Sequence, residues 1–484
     1  MKKNNDLQTI IYTILVTQIK FGTYHYGDSL PYIKEMSSYL PVSVETIRGA
    51  YNMLKDNNYI SLTKNVGAKV IVNYNNDQIN QHIYDFFSTR KESLLDLSQS
   101  MPLLFSHAQL MSLKKLSIEY IEEIESLINK TDILVSYRSI RLFLKIYGYL
   151  NNEMLIRLIW WIFVFYQIPF LSVFNNDSLK KDRDLLLEMI QACKKNDWQL
   201  VQSIIIQSHT DIHYALKAFY QDIPISSSCK KNSFTWEIYK KNDQKRYSLG
   251  MDIIKEIVKG YYPEGSYLPS LAILAKSKNI SISTLRRTLD ILKDIGAVKS
   301  INGVGTLIVP KDEIKANCDF SQSTTQKCLL DYLQSMHICA LSCKNITNIT
   351  LTNMTSLQIN DLTTLLEHLK NIDRCELAVY STLDYITKYV PFETIKTIYT
   401  KLFNQFLWGY SLCSIIKDIH ILNTNSRPHL EYLINCLNSS EYENFAKRIE
   451  YLLINDIIFA SSQLSKLNIK IPLNKESLLE FTKL

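Results

Sequence analysis

The hydrophobic and polar positions of the chain predict the same order of elements at two places. At the second place, apolar residues recur at helical spacing over residues 249–257 and again over 285–292. The segment 261–270, YYPEGSYLPS, carries the Gly and Pro residues that end helices and form turns. Strand-like alternation follows on either side of Asn302-Gly303, a sequence typical of a tight hairpin. The pattern predicts three helices joined by turns and closed by a two-stranded hairpin.

An earlier copy of this pattern begins near the N-terminus. Residues 23–32, TYHYGDSLPY, match 261–270 when Gly27 is aligned with Gly265, an offset of 238 residues. Ten of the twelve glycines lie in residues 22–67 and 250–305, which predicts turns there and mostly helix elsewhere. The same alignment, without a gap, pairs Leu30-Pro31 with Leu268-Pro269, Ser43 with Ser281, Thr46 with Thr284, Arg48 with Arg286, and Gly67 with Gly305.

Three helices with a terminal hairpin predict a winged helix-turn-helix in each copy. The third helix is narrow enough for the major groove of DNA, and a Ser at its N-cap leaves amide groups facing phosphates. Residues 245–310 carry a formal charge of +5 and residues 7–73 one of +2, which favours copy two as the stronger electrostatic binder. The DNA contacts expected are Lys34, Ser43, Thr46, Arg48, Gly67 and Lys69 in copy one, and Ser281, Ser283, Thr284, Arg286, Arg287, Gly303, Gly305 and Thr306 in copy two.

The ordered motifs resemble the N-terminal domain of GntR-family bacterial transcription regulators. They are Tyr-x-x-Gly-x-x-Leu-Pro, a Ser twelve residues on, Ser-x-x-Thr-x-Arg, and a Gly-x-Gly-Thr wing, and together they cover about 65 residues in each half. The resemblance implies operator binding on double-stranded DNA, usually by homodimers on near-palindromic sites, under the control of a small-molecule effector in a C-terminal domain.

This chain departs from the family pattern at several DNA-facing positions. The family usually has Arg after the Ser that opens the recognition helix, whereas this chain has Val44 and Ile282. A family arginine early in helix two matches Lys34 in copy one but Ala272 in copy two. The wing of copy one reads Asn-Val-Gly-Ala over residues 65–68. We therefore expect an altered base preference, or one weakened copy.

The sequence after each winged helix is helical and is also duplicated. LLDLSQSM (94–101) recurs as LLDYLQSM (329–336), and LEMIQAC (187–193) recurs as LEYLINC (430–436). The predicted fold class is mainly α with small β wings: two winged helix-turn-helix domains, each followed by an all-α domain. The predicted domains are 1–74 and 247–311 (winged helices), 75–224 and 312–484 (helical effector or dimerisation domains), and a linker at 225–246.

The helical domains resemble the FadR-type effector domain, many members of which bind a metal through an acidic residue and three histidines. In copy one His209 matches the last-helix ligand, but the earlier histidine position is Leu186; copy two has His429 there and Leu452 at the last-helix position. His213 lies one turn from His209. Neither copy keeps a full ligand set, so the prediction is no metal and no cofactor; His209 and His213 are expected to be solvated or core histidines, and a metal site at these two residues is the weaker alternative.

Composition and the remaining motifs limit the other classes of protein. The net charge is +7, and the nine cysteines lack paired metal spacing, which indicates reduced thiols in a cytoplasmic protein. The apolar run 158–174 contains Gln167 and Pro169 and is predicted to be a buried helix that breaks near the proline, so no membrane contact is expected. The N-terminal apolar run is interrupted by polar residues, unlike a signal peptide. Phosphate-loop, HExxH, GxSxG and strand-linked GxGxxG motifs are missing, so no enzyme is predicted.

Two hypotheses from different classes follow. The first is a cytoplasmic bacterial regulator with two non-identical DNA-binding copies, acting as an intramolecular pseudo-dimer or a homodimer and reading an asymmetric operator. The second is a degenerate regulator that has lost most DNA binding and acts as a protein-interaction or ligand-sensing protein. Steep salt dependence of DNA affinity distinguishes the first from the second.

Overall fold

The computed structural model describes residues 5–63, 67–173, 176–222, 231–239, 241–415 and 419–473. The chain divides into two units, Met1–Trp236 with Phe392–Thr394, and Glu237–Pro391 with Ile395–Leu484. Each unit begins with a small α/β domain, named head one (residues 5–70) and head two (residues 241–308), and continues as a helical domain. The division falls inside the predicted linker.

Head one has three helices and three short strands. Its antiparallel sheet has the order β1-β3-β2, with Ser29 opposite Lys69 and Ile60 opposite Val70. The residues predicted to point inward from the third helix, Ile47, Tyr51 and Leu54, are at most 1% exposed. The elements are α1 (Asn5–Lys20), β1 (Ser29–Leu30), α2 (Ile33–Tyr39), α3 (Val44–Asp56), β2 (Ile60–Thr63) and β3 (Gly67–Val70).

The first helical domain packs its helices around a core of Leu, Ile and Met side chains. A turn of π-helix, Phe163–Gln167, separates two of its helices just before Pro169. Proline lacks the N–H that an α-helix needs there, so the hydrogen-bond ladder changes at this point. The helices are α4 (Asn76–Ser88), α5 (Lys91–Lys115), α6 (Ile118–Asn129), α7 (Val135–Gly148), α8 (Glu153–Ile162), α9 (Ile168–Leu171), α10 (Asn176–Lys194) and α11 (Trp198–Asp222).

The apolar run of this domain is mostly buried. The stretch Glu153–Leu171 is long and apolar enough to cross a membrane by length and composition, and 65% of it lies inside the structure. Leu155, Leu158 and Phe163 are each at most 2% exposed. Core helices of water-soluble proteins pass the same test of length and composition, so no membrane protein is indicated.

Head two repeats head one with a smaller sheet. Strands β4 and β5 are antiparallel, with Val298 opposite Ile308 and Ile301 opposite Gly305. An isolated bridge between Tyr267 and Leu307 lies where β1 and β3 pair in head one. The elements are α12 (Lys241–Val258), α13 (Leu271–Ser277), α14 (Ile282–Asp294), β4 (Val298–Ile301) and β5 (Gly305–Ile308).

The second helical domain completes the duplication. Short 3-10 turns at Lys311–Glu313, Cys375–Leu377 and Leu407–Ile415 join or follow its helices. The prediction of a mainly helical chain with small β wings and an internal duplication is confirmed. The helices are α15 (Ile314–Asn317), α16 (Ser323–Ala340), α17 (Cys343–Asn353), α18 (Ser356–Asn371), α19 (Ala378–Tyr389), α20 (Glu393–Phe406), α21 (Ile419–Asn438) and α22 (Tyr442–Lys466).

The described part of the predicted linker 225–246 contains helical residues and buried side chains. Helix α12 begins at Lys241, so the last six linker residues are helical. Tyr239 is 3% exposed and stacks on Tyr247 with ring centroids 4.3 Å apart. Its hydroxyl donates to Gln405 Oε1 (2.5 Å) and accepts from Trp408 Nε1 (2.9 Å). Two parts of this region lie outside the described residues: 223–230, which includes the start of the predicted linker, and residue 240.

Candidate nucleic-acid interface and helical-domain cavity

Each recognition helix begins at a serine that caps it. Ser43 Oγ accepts a hydrogen bond from the Thr46 amide (3.2 Å), and Ser281 Oγ accepts one from the Thr284 amide (3.1 Å). The cap satisfies one of the free amides of the first turn and fixes where the helix starts. Ser283 is exposed beside this cap, with its Oγ 3.0 Å from Ser281 Oγ.

Thr46 differs from the other predicted contacts because it is buried. Its side chain is 1% exposed, and its hydroxyl lies 2.8 Å from Ser43 Oγ. The corresponding Thr284 is half-buried and makes the same bond to Ser281 Oγ, at 2.8 Å. The structure therefore corrects the expectation that Thr46 faces DNA: its place is in the core beside the cap.

Three of the predicted DNA contacts of head one line the same groove. Lys34 on α2, Arg48 on α3 and Gly67 on β3 line an open groove of about 630 Å³, with Tyr32 beside them. Gly67 has a φ of +99°, and a Cβ at this position would lie 3.3 Å from the Tyr32 ring, so a side chain there would be strained. Lys69 is exposed on the same strand but does not line the groove.

Arg48 in this groove is not a free cation. Its guanidinium forms an ion pair with Glu45, one turn earlier on α3, and both side chains are largely exposed at 51% and 74%. The acidic residue also lies at the N-terminal end of the helix, where it interacts favourably with the helix dipole. A phosphate that binds here has to compete with Glu45.

Head two presents two arginines without such a competitor. Arg286 and Arg287 are exposed on the first turns of α14, and neither forms an ion pair with any residue that the structure describes. The position that holds Glu45 in head one is Ser283 in head two. The recognition helix of head two thus carries one more positive charge than that of head one, which is one of the three charges by which the two segments differ.

The wing of head two is a hairpin with an exposed tip. Gly303 has a φ of +75° in the turn, Gly305 follows with a φ of +151°, and Val304 between them is 64% exposed. Thr306 pairs with Ser300 on the opposite strand. The predicted turn at Asn302-Gly303 is present and includes Val304. In head one the wing tip, residues 64–66, lies outside the described residues, so the prediction for that part of the wing stays open.

Two residues of these surfaces were missed by the sequence reasoning. Glu45 is one, although an acid three residues before an arginine on a predicted helix is a readable signal for an ion pair. Lys299 is the other: it is exposed on β4, opposite Leu307, and adds a cation to the wing of head two. Strand alternation could have placed Lys299 on the outer face.

The first helical domain contains a cavity of about 240 Å³ between α7, α10 and α11. Its wall includes Arg138 from α7, Asp182 and Arg183 from α10, and Asp211 from α11, together with apolar side chains. A smaller, apolar cavity adjoins it and shares Phe143 and Gln167 with it. The arrangement can hold a small molecule with both an apolar and a charged part.

His209 lines the smaller cavity and is 6% exposed. Burial lowers the pKa of its imidazole to about 4, and its Nε2 has no hydrogen-bond partner among the described residues. His213, one turn away, has its Nδ1 2.7 Å from Ser98 Oγ, and burial lowers its pKa. Across the described part of the chain, no group of three His, Cys, Asp or Glu side chains could hold a metal ion.

Three helices, a capped third helix and a terminal hairpin define a winged helix-turn-helix, and the chain contains two. Residues 7–70 and 248–308 each match the family model "Bacterial regulatory proteins, gntR family". The chain therefore carries two GntR-family domains in tandem. This confirms the resemblance seen in the motifs and the duplication.

Comparison with solved structures gives alignments that each span about half of this chain. E. coli McbR/YncC is 18% identical, with 45% of this chain and 100% of that chain covered and a TM-score of 0.24. A Streptococcus agalactiae GntR is 15% identical, with 44% and 98% covered and a TM-score of 0.19. A GntR regulator from Rhodococcus sp. RHA1 is 11% identical, with 46% and 98% covered and a TM-score of 0.26. A search of curated proteins gave no significant match.

Proposed function

We propose that the protein is a cytoplasmic transcription regulator whose two heads bind the two unequal halves of one DNA operator. The observation that carries this proposal is the matched placement of Arg48 and Arg286. Each is exposed on the recognition helix of a GntR-family domain, five residues after the serine that caps the helix. Exposed arginines at this position are suited to phosphates and to the acceptor edge of guanine.

The two half-sites are expected to differ because the two surfaces differ. Head one offers Lys34, Arg48 and Lys69 beside Glu45, whereas head two offers Arg286 and Arg287 beside Ser283. The proposed contacts are Lys34, Ser43, Arg48, Gly67 and Lys69 in head one, and Ser281, Ser283, Thr284, Arg286, Arg287, Gly303, Gly305 and Thr306 in head two.

The helical domains are proposed to respond to an effector. The cavity between α7, α10 and α11 supports this for the first domain, since it combines apolar walls with charged side chains. The chain is proposed to act as a pseudo-dimer, with both heads on one polypeptide, or as a homodimer. It is proposed to have no catalytic activity. The proposed domain limits are 1–74, 75–224, 225–246, 247–311 and 312–484.

The test is selection of binding sites from a random or genomic DNA pool with purified protein, at two salt concentrations. One asymmetric motif is expected, and Arg48→Ala and Arg286→Ala should each erase a different half of it. The matched control is Lys447→Ala, which removes an exposed cation from α22, outside both heads. A palindromic motif would instead point to a dimer that uses one head from each chain.

A second candidate function is supported by the apolar character of head two. Ile273 on α13, Ile282 at the start of α14 and Val304 at the wing tip are 63%, 43% and 64% exposed. Exposed apolar side chains are typical of surfaces that bind another protein where they form a contiguous patch. Residual DNA binding without sequence preference in the selection experiment would favour this protein-interaction role.

A further inference from the structure

The recognition helix of head two begins with an exposed isoleucine. Ile282 is the first residue of α14, directly after the capping Ser281, and it is 43% exposed. Isoleucine forms helices less readily than Ala or Glu, so helix propensity does not favour it at this position. A side chain with this exposure also adds less to the core than a buried one. Neither the helix nor the core of head two therefore accounts for Ile282.

The first position of the recognition helix is aliphatic in both heads, although the surface around it differs. At the offset of 238 residues, Ile282 corresponds to Val44, the first residue of α3. The aliphatic character of this position is therefore kept where neighbouring charges are not. Three charged residues near the starts of α2 and α3 are replaced by uncharged residues in head two: Lys34 by Ala272, Glu35 by Ile273, and Glu45 by Ser283.

The aliphatic residue shares its surface with an arginine. In head one, Val44 and Arg48 line the same groove. Head two repeats the same helices at the same offset, so Ile282 and Arg286 occupy the corresponding surface. Residues four apart lie on one face of a helix. Helix α14 thus presents an apolar side chain and a guanidinium group together at its N-terminal end.

The major groove of DNA offers one specific partner for such an apolar side chain. The N-terminal residues of a recognition helix are the ones that contact base edges in this groove. Among the four bases, thymine presents a methyl group there, whereas cytosine presents an amino group and guanine two acceptors. An aliphatic side chain gains free energy when it covers a methyl group, and it leaves the polar groups of the other bases unpaired.

The residues on either side of Ile282 leave room for a base. Ser281 and Ser283 are both exposed, and their hydroxyl oxygens lie 3.0 Å apart. In head one, Val44 is half-buried and is followed by the largely exposed carboxylate of Glu45. Contact with a thymine methyl group is therefore expected to be stronger in head two than in head one.

We propose that Ile282 recognises thymine: its side chain contacts the C5 methyl group of a thymine in the major groove of the half-site bound by head two. This inference rests on the proposed function, because it names a base that head two distinguishes in the operator. Arg286, one turn further along α14, then binds a guanine or a phosphate close to that thymine. Covering one methyl group changes the affinity by about fourfold.

Replacing thymine by deoxyuridine in the selected operator tests this inference, because uracil lacks only the methyl group. The head-two half-site is the half that Arg286→Ala erases, and each of its thymines is replaced in turn. Fluorescence anisotropy should show that at least one replacement weakens wild-type binding about fourfold. Replacements in the other half-site should weaken it less. Ile282→Ala should bind the original operator more weakly than wild type, and should bind the original and the uracil-containing operators equally.

Two further variants make this test specific to the contact. Leu357→Ala is the matched control, since it truncates a 71% exposed aliphatic side chain on α18, outside both heads, and it should discriminate thymine from uracil as wild type does. Ile282→Arg adds a cation, so it should bind DNA at least as tightly as wild type and still lose the discrimination. Thermal unfolding checks that both Ile282 variants are folded.

The outcomes separate this inference from the proposed function. If wild type binds the thymine and uracil operators equally, or if either Ile282 variant keeps the discrimination, then the contact with thymine is refuted while sequence-specific DNA binding stands. If the protein selects no DNA sequence at all, then both the proposed function and this inference fail.

Discussion

The ion pair between Arg48 and Glu45 leads to the sharpest prediction, the effect of Glu45→Ser. This change gives head one the residue that head two has at Ser283. Releasing an exposed pair one turn apart on a helix is worth about 0.2–0.5 kcal/mol. Removing a carboxylate about 4 Å from a bound phosphate is worth about 1 kcal/mol more in water. Together these terms predict binding of the head-one half-site that is about 7- to 12-fold tighter.

The assay is fluorescence anisotropy with the selected operator at several salt concentrations. For Glu45→Ser, the plot of log K against log salt should steepen by roughly 0.9 if Arg48 gains one phosphate. The reciprocal change Ser283→Glu in head two should weaken its half-site by a similar factor. Thermal unfolding checks the fold, since Glu45 also stabilises the start of α3 by about 0.3–1 kcal/mol.

One result would refute this reasoning. If Arg48→Ala weakens binding but Glu45→Ser changes neither the affinity nor the salt slope, then the ion pair does not restrain Arg48. A loss of affinity in Glu45→Ser would mean that the carboxylate itself contacts the DNA, for example by accepting from a cytosine amino group.

Three further predictions concern stability, measured by urea unfolding. Gly296→Ala should lower the free energy of unfolding by more than about 2 kcal/mol, because φ is +77° and a Cβ would lie 2.7 Å from a backbone carbonyl oxygen. Gly265→Ala has φ +74° but open space around it, so it should lower the free energy of unfolding by only about 1–2 kcal/mol. Tyr239→Phe should lower the free energy of unfolding by about 0.5–1.5 kcal/mol, since it removes the two buried hydrogen bonds of the hydroxyl while Trp408 Nε1 still donates to Gln405 Oε1 (3.2 Å), whereas Tyr261→Phe at a 73% exposed site should change it very little. Burial lowers the pKa of His209 from 6.5 to about 4, so protonation favours the unfolded chain as the pH falls below about 6.5; at pH 5 His209→Leu should show about 2 kcal/mol less acid destabilisation than wild type.

The local features of the fold could be predicted from the sequence because neighbouring residues determine them. The N-caps Ser43 and Ser281 of the third helices are present as expected, Ser270 caps α13 in the same way, and Gly296 follows α14 with a positive φ. The duplication predicted the order of the domains, since each sequence motif occurs in both halves of the chain and the second occurrence supports the first. The inward positions of α3 also follow from helical spacing alone.

Features that depend on packing between distant segments could not be predicted in the same way. The cavity needs α7, α10 and α11 to meet, and nothing in the spacing of Arg138, Asp182 and Asp211 along the chain places them together. The burial of Thr46 likewise depends on how α3 lies in head one. The start of α12 at Lys241 was missed because the segment 225–246 is polar. Some side chains of this segment, such as Trp236, are nevertheless buried.

The asymmetry of the heads has a physical explanation in their covalent connection. When two DNA-binding domains share one chain, the second contact becomes intramolecular, so an effective concentration replaces the concentration of free partner. A head with a restrained cation, such as Arg48 beside Glu45, then still adds affinity that it could not supply alone. A free homodimer would carry any such change in both heads at once and lose affinity twice. Under the proposed function, the tandem chain tolerates Glu45 in one head while Arg286 and Arg287 keep the other head cationic, and this predicts that head two dominates the salt dependence of DNA binding.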